Sequence, residues 1–195
     1  MAPTASLSKL VPAFGNAMVM YHAGTAQHSQ RVGAIARAIG IEMGLPAADI
    51  EALHWTGLLH DIGKLAVSDE ILSKPGPLIA EEWAVVRRHP VVGSELLLAI
   101  SSELDPVARG LRAHHERWDG CGYPDGLAAT DIPLAGRLVA IGDVYDALTH
   151  PRSYRPTPYP NDSAVEHITT GAGQLYDPDV VEAFCSCLAH SAKER

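Results

Sequence analysis

Two adjacent histidines, His114 and His115, open the string "HHERWDGCGYP" at residues 114–124, followed by an acid and a glycine-rich turn. A second pair, His60 and Asp61, sits inside the apolar run "LLHDIGKL". A buried aspartate needs a cation or hydrogen bonds to offset its lost hydration. His28 falls on the inner part of an earlier helical segment, His89 precedes a proline, and Asp143 interrupts "LVAIGDVYDAL". Together these are five histidines and two carboxylates at semi-buried positions. Imidazole nitrogen and carboxylate oxygen are a common ligand set for Fe, Mn and Zn. Two ions can share such a set if one carboxylate bridges them. Asp61 is the natural bridge, because His60 beside it can bind one ion while Asp61 reaches both. Metals roughly 3.5–4 Å apart suit in-line displacement at phosphorus with a bridging hydroxide as nucleophile. Lys64, one turn beyond His60, would bring an ammonium to the same mouth, to hold a phosphate oxygen or stabilise a leaving oxygen.

The elements that must carry these groups read as helices. "TAQHSQRVGAIARAIGIEMG" places Val32, Ile35, Ala36 and Ile39 at helical spacing and stops near Gly40 or Gly44. "LPAADIEALHWTGLLHDIGKL" continues as a second helix from Pro46, and "SDEILSKPGPL" reads as a loop. "IAEEWAVVRRHP" is a short helix with acids in its first turn, and Pro90 can start the next. "DPVARGLRAHHERW" reads as helical through both histidines, after which the glycines of "DGCGYPDGLAATDI" enforce a loop. Pro133 opens "PLAGRLVAIGDVYDALT", and two closing helices lie near 163–170 and 179–190. The pattern predicts an all-α, single-domain bundle of roughly seven to nine helices over residues 16–195. Residues 1 to about 15 read as a loosely held terminus.

Composition narrows the function. The 195 residues suit one domain, with 47% hydrophobic and 19% charged residues. A net charge of −8 speaks against binding of DNA or RNA duplexes, which calls for a broad basic face. An anionic substrate must therefore meet local cations. Cys121, Cys185 and Cys187 form no CxxC pair and fit free thiols in a reducing compartment. No stretch approaches a membrane span or a signal peptide, so the expected location is the cytoplasm, with no membrane partner.

The strings "HDIGK" (60–64), "HP" (89–90), "HHERWDGCGYP" (114–124) and "GDVYDALT" (142–149) together resemble the HD-GYP family. This is a branch of the HD-domain metal phosphohydrolases that degrade the bacterial second messenger cyclic di-GMP. The resemblance runs from about Ala23 to Ala183 with order and spacing kept. It implies an HD-type bundle and metal ligands at His28, His60, Asp61, His89, His114, His115 and Asp143. It also implies two divalent ions, Fe or Mn, with Asp61 and Lys64 in the chemistry. Gly122 and Tyr123 would lie beside the substrate, and Arg152 and Arg155 of "HPRSYR" would meet its phosphates. Some members of the branch carry a glutamate four residues before the first histidine that helps to bind a third metal. Here that position is Gly24, which implies two metals.

The expected reaction is hydrolysis of cyclic di-GMP to pGpG or GMP. The alternatives are another nucleotide as substrate, such as a hybrid cyclic dinucleotide, or a signalling module that binds a cyclic dinucleotide or a GGDEF-type cyclase without turnover. Glu116 is expected to orient a ligand histidine, Asp119 to turn the loop, and His22, His54, His150, His167 and His190 to be structural.

Overall fold

The computed structural model describes residues 23–151 and 155–193. The proposed loose terminus at 1–15, His22 and Arg152 lie outside the described residues. Within them the chain forms nine α-helices: α1 (Ala23–Glu42), α2 (Ala47–Leu59), α3 (Asp69–Leu72), α4 (Ala80–Val86), α5 (His89–Ile100), α6 (Asp105–Arg112), α7 (Leu134–Thr149), α8 (Asn161–Thr170) and α9 (Pro178–Lys193). Three 3-10 turns, at Ile62–Ala66, Ser102–Leu104 and Ala129–Asp131, complete the described regular structure. An isolated bridge joins Ala172 to Tyr176. The all-α expectation holds.

The helix ends follow their local chemistry. Pro46 and Pro133 directly precede α2 and α7, and Pro90 lies in the first turn of α5. Gly44, at φ 69°, ends the turn after α1 in the left-handed region that glycine accepts without strain.

Three boundaries differ from the sequence reading, two of them at the site. The first is a loop that is partly helical: "SDEILSKPGPL" contains the one-turn helix α3. The second is α2, which stops at Leu59, so "HDIGK" leaves the helix and turns into a 3-10 segment. Asp61 sits there at φ −97°, ψ 5°, the bridge region between helix and strand. The third is α6, which stops at Arg112, two residues before the histidine pair.

Two apolar clusters hold the bundle. One joins Val32, Ala36 and Ile39 of α1, Leu138, Val139 and Ile141 of α7, Ile168 of α8, and Val180, Val181 and Phe184 of α9. The other joins Trp55 and Leu59 of α2, Ile62, Leu97 of α5, and Val107, Ala108 and Leu111 of α6. Helix α2 serves both, sending Leu53 into the first cluster and Trp55 and Leu59 into the second. The polar residues of interest collect where α2 ends, between the two clusters. A helix that is apolar on more than one side must be buried, and its end becomes an interior site.

Candidate metal centre

His60 and Asp61 follow α2, His89 begins α5, His114 and His115 follow α6, His28 lies in α1 and Asp143 in α7. His28, His60, His89 and His114 are each no more than 3% exposed, and Asp61 is 4% exposed. Three histidines share one anchoring scheme. The Nδ1–H of His60 donates to Gly57 O at 2.7 Å, that of His89 to Val86 O at 2.7 Å, and that of His114 to Leu111 O at 2.6 Å. Each acceptor lies in the last turn of a helix, where carbonyls lack an intrahelical partner. One bond therefore satisfies a helix end and also fixes the ring, leaving Nε2 as the nitrogen directed inward. This requires the helices to end just before the histidines, as α2, α4 and α6 do.

His28 lies within a continuous helix, where carbonyls are engaged in the ladder, and it is held differently. Its Nδ1–H donates to Asp146 at 2.6 Å, and its Nε2 lies 3.1 Å from Asp143 Oδ1. Asp61 stands in the middle, with Oδ2 3.4 Å from His60 Nε2 and Oδ1 3.4 Å from His89 Nε2. Lys64 Nζ is 2.7 Å from Asp61 Oδ2.

Adjacent residues on an α-helix point about 100° apart. Because α6 has already ended, His114 and His115 escape that constraint, and their ring centroids lie 4.0 Å apart with a tilt of 40°. The donor atoms fall into three overlapping groups, each within 4.8 Å: His28, His60 and Asp143; His60, Asp61 and His114; His89, His114 and His115.

These residues fit a metal. His60 Nε2 is buried and makes no hydrogen bond. His89 Nε2 and His114 Nε2 lie 3.3 Å apart although both Nδ1 protons already face carbonyls. Two lone pairs at that distance repel unless a cation is shared between them. Burial, reinforced by the neighbouring histidines, holds His114 well below the ordinary histidine range. Burial also pushes His115 down to about 4, aided by His89 and opposed by Asp143. For Asp61, burial opposes ionisation, but Lys64 and His60 outweigh it and hold the carboxyl well below its usual range. Neutral His114 and His115 beside the ionised Asp61 are protonation states that metal binding requires. His60, lowered by burial but raised on balance by Asp61 and Asp143, would release its proton to a metal.

The close approach of Gly63 to α5 sets the distance across the centre. A Cβ placed on Gly63 would lie 1.9 Å from His89 O and 2.7 Å from Gly93 N. The glycine of "HDIGK" thus lets one backbone rest directly on another and brings Asp61 to His89.

The glycine-rich loop is held by its own network. Tyr123 stacks on His115, with centroids 4.7 Å apart and planes 24° apart, and the Arg87 guanidinium lies 5.0 Å from the same ring. Gly122 packs on the chain at Glu116–Arg117, where a Cβ would meet backbone at 2.4 Å. Glu116 Oε1 accepts from Asp125 N at 2.7 Å and Gly126 N at 3.1 Å. The expected orienting bond from Glu116 to a histidine is not formed; the side chain holds the far limb of the loop instead. Asp119 accepts from Cys121 N, as a loop-turning residue should. Arg155, expected at the phosphates, donates through Nη2 to Ala147 O and Leu148 O at the end of α7, and its guanidinium lies over Tyr159. The last-turn carbonyls of α7 need donors, and Arg155 supplies them.

Two residues at the site escaped the sequence reading. Asp146 is fully buried against His28, and Arg87 lies over Tyr123. The signal for Asp146 was present in its i+3 spacing from Asp143, which puts both on one face of a helix. Arg87 carried none, since its contact with Tyr123 spans separate elements.

Fold and donor set define a helical domain built around a buried histidine–aspartate cluster able to hold metal. The chain belongs to the HD-domain family, whose family model matches residues 13–180. It is 39% identical over 161 residues to a cyclic di-GMP phosphodiesterase of Thermotoga maritima, covering 82% of this chain and 44% of that protein. It is 38% identical over 175 residues to 3'3'-cGAMP-specific phosphodiesterase 2 of Vibrio cholerae, covering 89% of this chain and 33% of that protein. The chain thus spans less than half the length of these curated relatives. Among solved structures, a cyclic GMP-AMP specific phosphodiesterase of V. cholerae shares the fold at TM-score 0.72 and 19% identity, covering 95% of this chain and 49% of that one. The HD domain of the L. monocytogenes phosphodiesterase PgpH shares it at TM-score 0.60 and 14% identity, covering 92% and 97%. Among the described residues no helix is long and apolar enough to cross a membrane.

Proposed function

We propose that this chain is a metal-dependent phosphodiesterase that hydrolyses cyclic di-GMP to pGpG or GMP. The observation that carries the reading is the pair of donor triads, His28–His60–Asp143 and His89–His114–His115, with Asp61 directed to a histidine of each. His28, His60, Asp61 and Asp143 would hold one divalent ion, and His89, His114, His115 and Asp61 a second, with Fe or Mn favoured. Divalent ions in such a site supply Lewis acidity toward a phosphate and make water more acidic.

The protein's own groups account for the rest. Lys64 keeps an ammonium at the edge of the cluster, beside the Asp61 carboxylate. Arg87, exposed over Tyr123, adds a second cation on the side of the glycine-rich loop. These are the local positive charges that an acidic protein needs to receive a phosphate diester. Tyr123 and Gly122 shape the wall beside His115, where a nucleotide would enter. Arg152 is proposed to meet the substrate phosphates, whereas Arg155 is engaged with the end of α7.

The test is incubation of the Mn²⁺- or Fe²⁺-loaded protein with cyclic di-GMP, with products separated by chromatography. Linear pGpG or GMP is expected; intact substrate at confirmed metal occupancy refutes the proposal. A second substrate, 3'3'-cGAMP, has specific support, because three relatives at 36–43% identity are named for it. A panel of both dinucleotides on one metal-loaded preparation decides between them. Turnover of either one also excludes the signalling-module alternative, in which a cyclic dinucleotide or a GGDEF-type cyclase is bound without hydrolysis.

A further inference from the structure

Asp146 has no part in the chemistry proposed above, yet it is 0% exposed and heavily bonded. Its Oδ2 accepts the His28 Nδ1–H at 2.6 Å and an Arg31 Nη2–H at 3.0 Å. Its Oδ1 accepts from Arg31 Nε, and His150 Nδ1 lies 3.0 Å away. A fully buried carboxylate is costly unless such partners surround it. The four residues form one link between α1, which carries His28 and Arg31, and α7, which carries Asp146.

The need for this link follows from the position of His28. His60, His89 and His114 are oriented by helix-end carbonyls, whereas His28 stands in the body of α1 without a free carbonyl nearby. Helix α7 meets the ring with two carboxylates at i, i+3 spacing, Asp143 at 3.1 Å from Nε2 and Asp146 at 2.6 Å from Nδ1. Only the Nε2 side opens toward His60 and Asp143 as a donor group. The Nδ1–H bond therefore selects the tautomer whose Nε2 lone pair faces that group. A charged acceptor also makes the imidazole a stronger ligand than a carbonyl would.

We propose that Asp146 is a positioning residue for one of the two ion positions, acting through His28 on the triad His28–His60–Asp143 and leaving the triad His89–His114–His115 unaffected. This rests on the metal reading of the site given above. Asp146 touches neither ion nor substrate in this scheme. Arg31 neutralises it, and His150 ties it to the segment that follows α7.

Mn²⁺ titration of metal-stripped full chain, followed by calorimetry and by electron paramagnetic resonance, tests the proposal. Wild type is expected to take up two ions. In Asp146→Asn an amide oxygen can still accept the Nδ1–H, but the charge is gone. One ion should then bind about 10–100-fold more weakly while the other keeps its affinity. The same ion should weaken in His28→Ala, and the opposite one in His115→Ala. Asp146→Ala should show a larger loss than Asp146→Asn. The proposal is overturned if Asp146→Asn leaves both affinities unchanged or lowers both equally. Loss of helical circular dichroism in Asp146→Asn would also overturn it, by making the residue a determinant of the fold. Failure of wild type to bind Mn²⁺ would instead overturn the metal reading itself, so the two failures are distinct.

Discussion

The glycine at position 63 offers the sharpest test of how the centre is held together. In Gly63→Ala the new methyl would start 1.9 Å from His89 O and 2.8 Å from His89 C, with Gly93 N at 2.7 Å. All three are backbone atoms, so no side chain can swing aside. An ordinary contact begins near 3.4 Å, so the 3-10 segment must retreat from α5 by about 1.5 Å or α5 must bend. Overpacking of this kind costs about 1–3 kcal/mol, which in a domain of this size lowers Tm by about 2–12 °C. The functional loss should be larger than the loss of stability. Asp61 and His89 lie on the two sides of the contact, with Asp61 Oδ1 3.4 Å from His89 Nε2. Separating them by even 1 Å is expected to cut turnover by about 100-fold. The assay pairs a thermal melt with hydrolysis of cyclic di-GMP at saturating Mn²⁺, measured well below the variant's Tm. A variant that melts like wild type and hydrolyses cyclic di-GMP equally well would refute the argument that this backbone contact sets the geometry.

Other perturbations separate the roles of the loop and the ligands. Tyr123→Phe keeps the ring against His115 and should stay within a few-fold of wild-type kcat, whereas Tyr123→Ala should lower kcat and loosen the loop, read as faster proteolysis between 117 and 127. Arg87→Ala should raise KM for the dinucleotide with Mn²⁺ affinity intact; a fall in metal affinity would contradict its assignment to the rim. Glu116→Gln keeps the oxygen that accepts from Asp125 and Gly126 and should be tolerated, while Glu116→Ala leaves two amides without their acceptor and should cost about 1–3 kcal/mol in denaturant unfolding. Protein freed of metal should lose stability as pH falls from about 6.5 toward 4. His115 lies at about 4 when folded, so the unfolded chain binds the proton first and gains from acid. Tm rising instead across that interval would show that His115 is not held neutral by burial.

The helices were legible in the sequence because helical periodicity and proline punctuation are local. Val32, Ala36 and Ile39 mark the inner face of α1, and Pro133 marks the start of α7. The local pattern failed where a histidine ring bonds the carbonyl three residues back in competition with the next helical turn. The apolar run through "LLHDIGKL" looks continuous, yet α2 ends at Leu59 and the Gly57 carbonyl receives the His60 ring. The same competition ends α6 before His114. Glu116 shows the opposite limit: it follows the histidine pair in sequence, but its partners are the amides nine and ten residues away.

What the sequence determined by itself was the donor set, five histidines and two aspartates in an all-helical chain, since ligand chemistry is a property of side-chain type. Only the folded structure decided which nitrogen each ring presents, because that depends on where a helix ends and frees the carbonyl three residues back, or, for His28, on a carboxylate that α7 brings behind the ring. It also turned Arg155 to the carbonyls of α7 and set Arg87 over Tyr123. Asp146 and His28, 118 residues apart, meet only through the packing of α1 on α7. Side-chain type limits what a residue can bind, and the packing of distant helices chooses its partner.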